Sequence, residues 1–257
     1  MQLQIWQIII LTLLSFIGIL DIVSIDIGIG RPIQMGFLTG LVLGNVTLGL
    51  AVGATLQLML LGVESYGGAS VPDFKTGALL GTVFGVLSGK DVQFAIGLAV
   101  PIGLLMVQLD VLARFSNTFL LHKVDKCVAN DDIKGADRYI LAGILPWGLS
   151  RALPVALCLI FGQGIIDYIL KIVPDWLMNG LSVAGGLLPV VGIAILLKYL
   201  PTGKNINYAI IGFVLAAYLK VPMIGIALVG VALAFAVFKS DLDKEASHTE
   251  EELEDEF

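Results

Sequence analysis

Glu64-Ser-Tyr-Gly-Gly-Ala-Ser-Val-Pro-Asp-Phe-Lys75 separates two apolar runs, at about 51 to 63 and 77 to 89. As helix, each run reaches only about 20 Å, short of the roughly 30 Å hydrocarbon core of a bilayer. The polar, glycine-rich stretch between them is costly at membrane depth unless it lines a cavity or is buried in protein. The pair of runs is therefore expected to form broken or re-entrant helices that present a polar segment inside the membrane.

The surrounding sequence supports a membrane setting. Of 257 residues, 57% are hydrophobic and 14% charged, and the mean hydropathy is +0.94. Soluble domains carry about a quarter charged residues, so this composition cannot cover a water-facing surface. Further apolar elements fall at about 5 to 23, 33 to 50, 93 to 115, 139 to 162, 176 to 199, 206 to 219 and 221 to 238. The fold class expected is all-α, a polytopic, multi-pass membrane protein. The first apolar run lacks a basic flank and a cleavage site, and is expected to be a retained helix. Residues 1–240 form the expected transmembrane domain. The acidic tail 241–257 offers almost no apolar surface and is expected to be solvated and disordered.

Charge and glycine add orientation and packing. His122 to Arg138, with Lys123, Lys126, Lys134 and Arg138, is expected to be a short amphipathic connection on the cytoplasmic side. An even number of later crossings would put the tail on that side too. Glycines four apart, at Gly36, Gly40 and Gly44 and at Gly49 and Gly53, let helix backbones approach closely. Cys127 and Cys158 lie 31 positions apart without metal spacing and are expected to be ordinary thiols. No basic patch interleaved with aromatics is present, which excludes nucleic acid as a partner.

Catalysis fares poorly. The chain has no HExxH, GxSxG, GxxxxGK[ST] or GxGxxG motif, and its two histidines lie in a loop and in the acidic tail. No enzyme activity, metal or cofactor is expected, and transport energy must come from an ion gradient or another protein. Ionisable groups within apolar segments by default mark a pathway or an internal pair. Here these include Asp21, Asp26, Arg31, Glu64, Asp73, Lys75, Asp110, Arg151, Asp167, Lys198 and Lys220. Asp110 and Arg114 are spaced i, i+4 for a local ion pair. Arg151 sits among prolines, where a kinked helix could bring it to a subunit contact or a phosphate. Lys220 suits a snorkelling interfacial charge. Gln57, Glu64, Ser65, Tyr66 and Asp73 supply carboxylate, amide, hydroxyl and aromatic groups within 17 positions. A neutral sugar needs that mixture. Satisfied polar groups in a re-entrant turn would read the same way.

Arg31-Pro32 with Leu41-Val-Leu-Gly44, then Gly53-Ala-Thr-Leu-Gln57, Gly67-Gly-Ala-Ser-Val-Pro-Asp73 and Asn179-Gly-Leu-Ser-Val-Ala-Gly-Gly186 with Gly192 occur in this order along the chain. Together they resemble the IIC subunits of the mannose-fructose-sorbose phosphotransferase family over residues 1–240. The resemblance implies a sugar-translocating subunit of the bacterial cell membrane, paired with a IID membrane subunit in a hetero-oligomer. It also implies soluble IIA and IIB phosphocarriers that phosphorylate a hexose or hexosamine during uptake. The implied substrate-binding residues are Gln57, Glu64, Ser65 and Asp73, with Gln57 where relatives often carry Glu. Ala216-Ala-Tyr-Leu-Lys-Val-Pro222 looks more like the N-acetylgalactosamine branch, with mannose, fructose and sorbose also open. The rival is an ion-coupled secondary transporter with Asp21, Asp26 or Asp73 as the coupling carboxylate. A third reading is a membrane scaffold or peptide receptor.

Overall fold

The computed structural model describes residues 3–61, 71–162, 164, 175–199 and 205–255, and among these every regular element is an α-helix. The chain divides into a unit of Met1–Leu196 and a unit of Leu197–Phe257.

The first helix, α1, is Ile5–Val23. Ile5, Ile9, Leu13 and Ile17, spaced four apart, are exposed along one face, while Leu11, Ser15, Gly18 and Ile19 are buried on the other. An exposed apolar stripe on a helix long enough to span suits contact with lipid or a neighbouring subunit. Gln7 Nε2 donates to Val42 O (3.1 Å) and ties α1 to the next helix.

Two short helices follow as a hairpin, α2 at Pro32–Leu43 and α3 at Val46–Met59. Gly44 ends α2 at φ 76, a conformation that glycine adopts without a Cβ penalty. Asn45 Oδ1 then accepts from Leu48 N (3.1 Å) and starts α3. The expected single run at 33 to 50 is thus corrected: the chain reverses at Gly44–Asn45, because a left-handed residue followed by an N-cap stops one helix and begins another. Gly36 and Gly40 of α2 face Gly49 and Gly53 of α3. A Cβ on Gly53 would lie 2.6 Å from Pro32 O, and one on Gly40 would lie 2.7 Å from Asn45 O.

Helix α4, Phe74–Ser88, is buried on every side from Phe74 to Gly85 except at Lys75, which is part-buried. At 15 residues it is about 23 Å long, too short to cross. It persists because protein rather than lipid surrounds it. Leu79, Leu80, Val83 and Phe84 pack with Leu11, Val52, Leu56, Ala95, Ala99 and Val155 into one core. Gly77 and Gly81 sit against α5, where a Cβ on either would lie 2.7 Å from a carbonyl oxygen, of Ala99 and Ala95 respectively.

Helix α5, Val92–Ala129, has 38 residues and is capped by Asp91, whose Oδ1 accepts from Phe94 N (2.9 Å). At about 57 Å it outruns a bilayer. The amphipathic connection expected at His122 to Arg138 is corrected accordingly: its first half is the end of α5, and its second half begins α6, Ile133–Ala142, capped by Asp132. α7, Ile144–Ile160, follows after Gly143, and α8 is Asp175–Tyr199. Ile5–Val23, Val92–Ala129 and Ile133–Ile160 are long and apolar enough to cross a membrane.

The second unit carries α9, Ile206–Ala217, and α10, Met223–Asp255. Pro222 precedes α10, where a missing N–H costs nothing. The backbone of the acidic tail continues α10 as far as Asp255.

Candidate functional site

The break between α3 and α4 places polar groups inside the helical core. Asp73, at the N-cap of α4, donates its backbone N–H to Gly103 O (3.0 Å). Gly103 is the twelfth residue of α5, about 17 Å along it, close to the middle of a 30 Å hydrocarbon layer. On the other side of the break, Gln57 lies in the last turn of α3, with a buried Oε1 that has no hydrogen-bond partner among the described residues. Gly192 of α8 crosses the same end of α3, and a Cβ there would lie 3.1 Å from Met59 O. Glu64 and Ser65, and Tyr66 beside them, lie outside the described residues.

Asp73 is fully engaged. Its Oδ1 accepts from Thr76 N (3.1 Å) and stands 3.4 Å from Lys75 Nζ. Its Oδ2 accepts from Thr76 Oγ1 (3.0 Å) and from Arg151 Nε (2.7 Å). The Arg151 guanidinium, brought in by α7, also donates Nη2 to Asp110 Oδ1 (2.7 Å) and Nη1 to Ser150 Oγ (2.8 Å). Asp110 Oδ2 accepts Arg114 Nε (2.8 Å), so the local pair expected from the i, i+4 spacing is present within a larger cluster. One guanidinium thereby pins three elements: the start of α4, the middle of α5, and α7. Its side chain is 3% exposed. Charges this deep persist only when paired and hydrogen-bonded.

The bridge by Arg151 is the feature that sequence reading missed, since its carboxylate partners lie 78 and 41 residues away. The available signal was a single arginine in the apolar run 145–154, which demands an anion from somewhere.

The remaining candidates scatter. Asp21 organises the α1–α2 loop by accepting from Ile27 N (2.8 Å), Gly28 N (3.0 Å) and Gly30 N (2.9 Å). Asp26 pairs with Arg31 in an exposed ion pair. Each carboxylate that ion coupling would have used, Asp21, Asp26 or Asp73, is thus held by backbone donors or a cation. Lys198 and Lys220 are exposed, and Asp167 lies outside the described residues. His122 is exposed, 3.8 Å from Asp125.

A family model described as the PTS system sorbose-specific IIC component matches residues 5–236. The N-acetylgalactosamine permease IIC component 1 of Escherichia coli (strain K12) is 32% identical over 210 residues, covering 81% of this chain and 78% of its own. The mannose-specific EIIC component of the same organism is 24% identical over 235 residues, covering 91% of this chain and 88% of its own. The fructose permease IIC component of Bacillus subtilis (strain 168) is 26% identical over 218 residues, covering 85% and 81%. A solved membrane-protein structure superposes with a TM-score of 0.82 at 22% identity, covering 93% of this chain and 97% of that one. A structure of the mannose transporter ManYZ with a microcin superposes at 0.61 and 23% identity, with the same coverage. At these identities the structural likeness speaks for the fold.

Proposed function

This chain belongs to the sorbose-specific IIC component family of the phosphotransferase system, and from that premise we propose that it is the sugar-translocating subunit of a phosphoenolpyruvate-dependent permease. It is an integral, multi-pass subunit of the bacterial inner membrane and acts as a transport component. In this reading its partners are a IID membrane subunit and soluble IIA and IIB phosphocarriers, which carry the phosphoryl transfer. The permease then needs only weak, reversible sugar binding here, because phosphorylation removes the product and makes uptake irreversible.

The observation that carries the proposal is Gln57 at the end of α3, whose buried Oε1 is an acceptor with no donor among the described residues. An unpaired buried carbonyl costs about 1–3 kcal/mol, and a sugar hydroxyl is a donor that relieves it. Gln57 is thus proposed as a direct sugar contact, with Glu64 and Ser65 of the connecting segment completing the polar lining. Asp73 enters the site through Arg151: with both oxygens engaged, it fixes the start of α4 at the depth the sugar must reach. The substrate class is a hexose or hexosamine, and N-acetylgalactosamine is the first to test, given the 32% identical relative.

The test is uptake of labelled hexoses and hexosamines into cells expressing the chain with IID, IIA and IIB partners. Sugar phosphate should accumulate only with all partners present. Gln57→Ala should abolish uptake at unchanged membrane levels of the protein. Unmodified solute accumulating without the partners, and collapsing with the ion gradient, would overturn the assignment.

A further inference from the structure

A cavity in the first unit lies apart from the α3–α4 break. It is a groove of about 610 Å³ where the end of α1, the outer part of α5, α6 and the start of α7 meet. Its walls are largely apolar, with Leu20, Val23, Leu120, Leu121, Ile140 and Ile144 among them. Two cations border it. Arg114 lines the groove, gives Nε to Asp110, and lies 5.5 Å over the Trp147 ring. Its side chain is 44% exposed, and Nη1 and Nη2 make no hydrogen bond among the described residues. Lys123 stands 5.3 Å over the ring of Tyr139, another wall residue.

The level of the groove in the membrane follows from helix lengths. Arg114 lies 22 residues beyond Val92, about 33 Å along α5, and Val23 closes α1 after about 28 Å. Both distances match one hydrocarbon thickness, so these ends meet at the same bilayer interface. Trp147 and Tyr139 are aromatic residues of the kind found at that level, and Lys123, Lys126, Lys134 and Arg138 mark it as the cytoplasmic side.

We propose that this groove is a binding site for an anionic phospholipid. The two Nη groups of Arg114, which have no partner among the described residues, present the parallel donors that a phosphodiester accepts bidentately, and stacking on Trp147 holds the guanidinium in place. Lys123, over the ring of the wall residue Tyr139, adds a second cation beside the groove. The head of an acyl chain lies along Leu20 and Val23 and runs from Arg114 back into the hydrocarbon, where a free phosphate ion would leave these apolar walls uncovered. Basic pockets between helices on the cytoplasmic face are recognised lipid headgroup sites. This site is independent of the sugar pathway and survives if the sugar assignment fails.

The test uses the full chain purified in mild detergent with whatever subunits accompany it. Native mass spectrometry then compares phosphatidylglycerol with phosphatidylcholine supplied in equal amounts. Phosphatidylglycerol should be retained in preference, and Arg114→Gln should lower its retention about fivefold. Val124→Trp, which fills the groove without touching the ion cluster, should lower it as well. Photoactivatable phosphatidylglycerol should label wild-type peptides within residues 114–147, a readout that needs no variant. Equal retention of the two lipids, labelling elsewhere, displacement by millimolar inorganic phosphate, or a co-purifying subunit seated there in place of lipid would each overturn the proposal.

Discussion

Replacing Arg151 by Met removes the charge while keeping most of the side-chain volume. Two charge-assisted hydrogen bonds of 2.7 Å disappear, to Asp73 and to Asp110, together with the 2.8 Å bond to Ser150. Asp73 keeps Thr76 and Lys75, and Asp110 keeps Arg114, but each loses its shortest cationic contact. Removing one partner of a buried ion pair costs about 3–5 kcal/mol, because the charge left behind has lost its compensation. For a chain of this size each kcal/mol moves the unfolding midpoint by about 2–4 °C. Arg151→Met should therefore lower the thermal midpoint in detergent micelles by about 10 °C. A double-mutant cycle isolates the pair: Asp73→Asn with Arg151→Met should cost less than the sum of the single changes, by at least about 1 kcal/mol. A midpoint unchanged in Arg151→Met, or single effects that simply add, would refute the claim that this guanidinium clamps α4 to α5 and α7.

Three further substitutions probe other parts of the fold. Asp21→Asn replaces a carboxylate that accepts three backbone N–H groups with an amide whose NH2 faces donors; it should cost about 2 kcal/mol, read as a lower midpoint and earlier proteolysis between α1 and α2. Gly44→Ala adds a Cβ in open space at positive φ and should cost about 1 kcal/mol, whereas Gly53→Ala drives a Cβ against the Pro32 carbonyl oxygen and should cost at least about 2 kcal/mol. Equal midpoints for the two alanine variants would argue against the tight α2–α3 seam.

What could be read in advance follows from the range of each signal. Gly36, Gly40, Gly49 and Gly53 were legible as a close-contact seam, because four-residue spacing is a local property of a helix. The Asp110–Arg114 pair was legible for the same reason. The reversal at Gly44–Asn45 was not, since Gly44 continues the four-residue glycine spacing of α2 and no charged residue interrupts the apolar run. The length of α5 was also misjudged, because its polar end from His122 to Ala129 has a loop-like composition but keeps its helical bonds outside the bilayer. Within the site, the polar character of the break could be read from Gly67 to Asp73. The commitment of Asp73 to Arg151 could not, because it depends on how α4 and α7 approach each other.

The enclosure of α4 has a consequence for how the protein is made. A segment of about 23 Å gives the insertion machinery nothing that can rest across the bilayer alone, so α4 cannot enter as an independent span. It must be carried in with α5 and closed over by α7, whose residues are synthesised last of the three. Until Arg151 emerges from the ribosome, Asp73 has only its neighbours Lys75 and Thr76 as partners, and a charged side chain short of partners at membrane depth costs up to about 3 kcal/mol. The half-made chain is therefore at its most vulnerable to membrane proteases between the synthesis of residues 73 and 151, and substitutions that delay docking of α7 should lower the yield of finished protein even where they leave the mature fold intact.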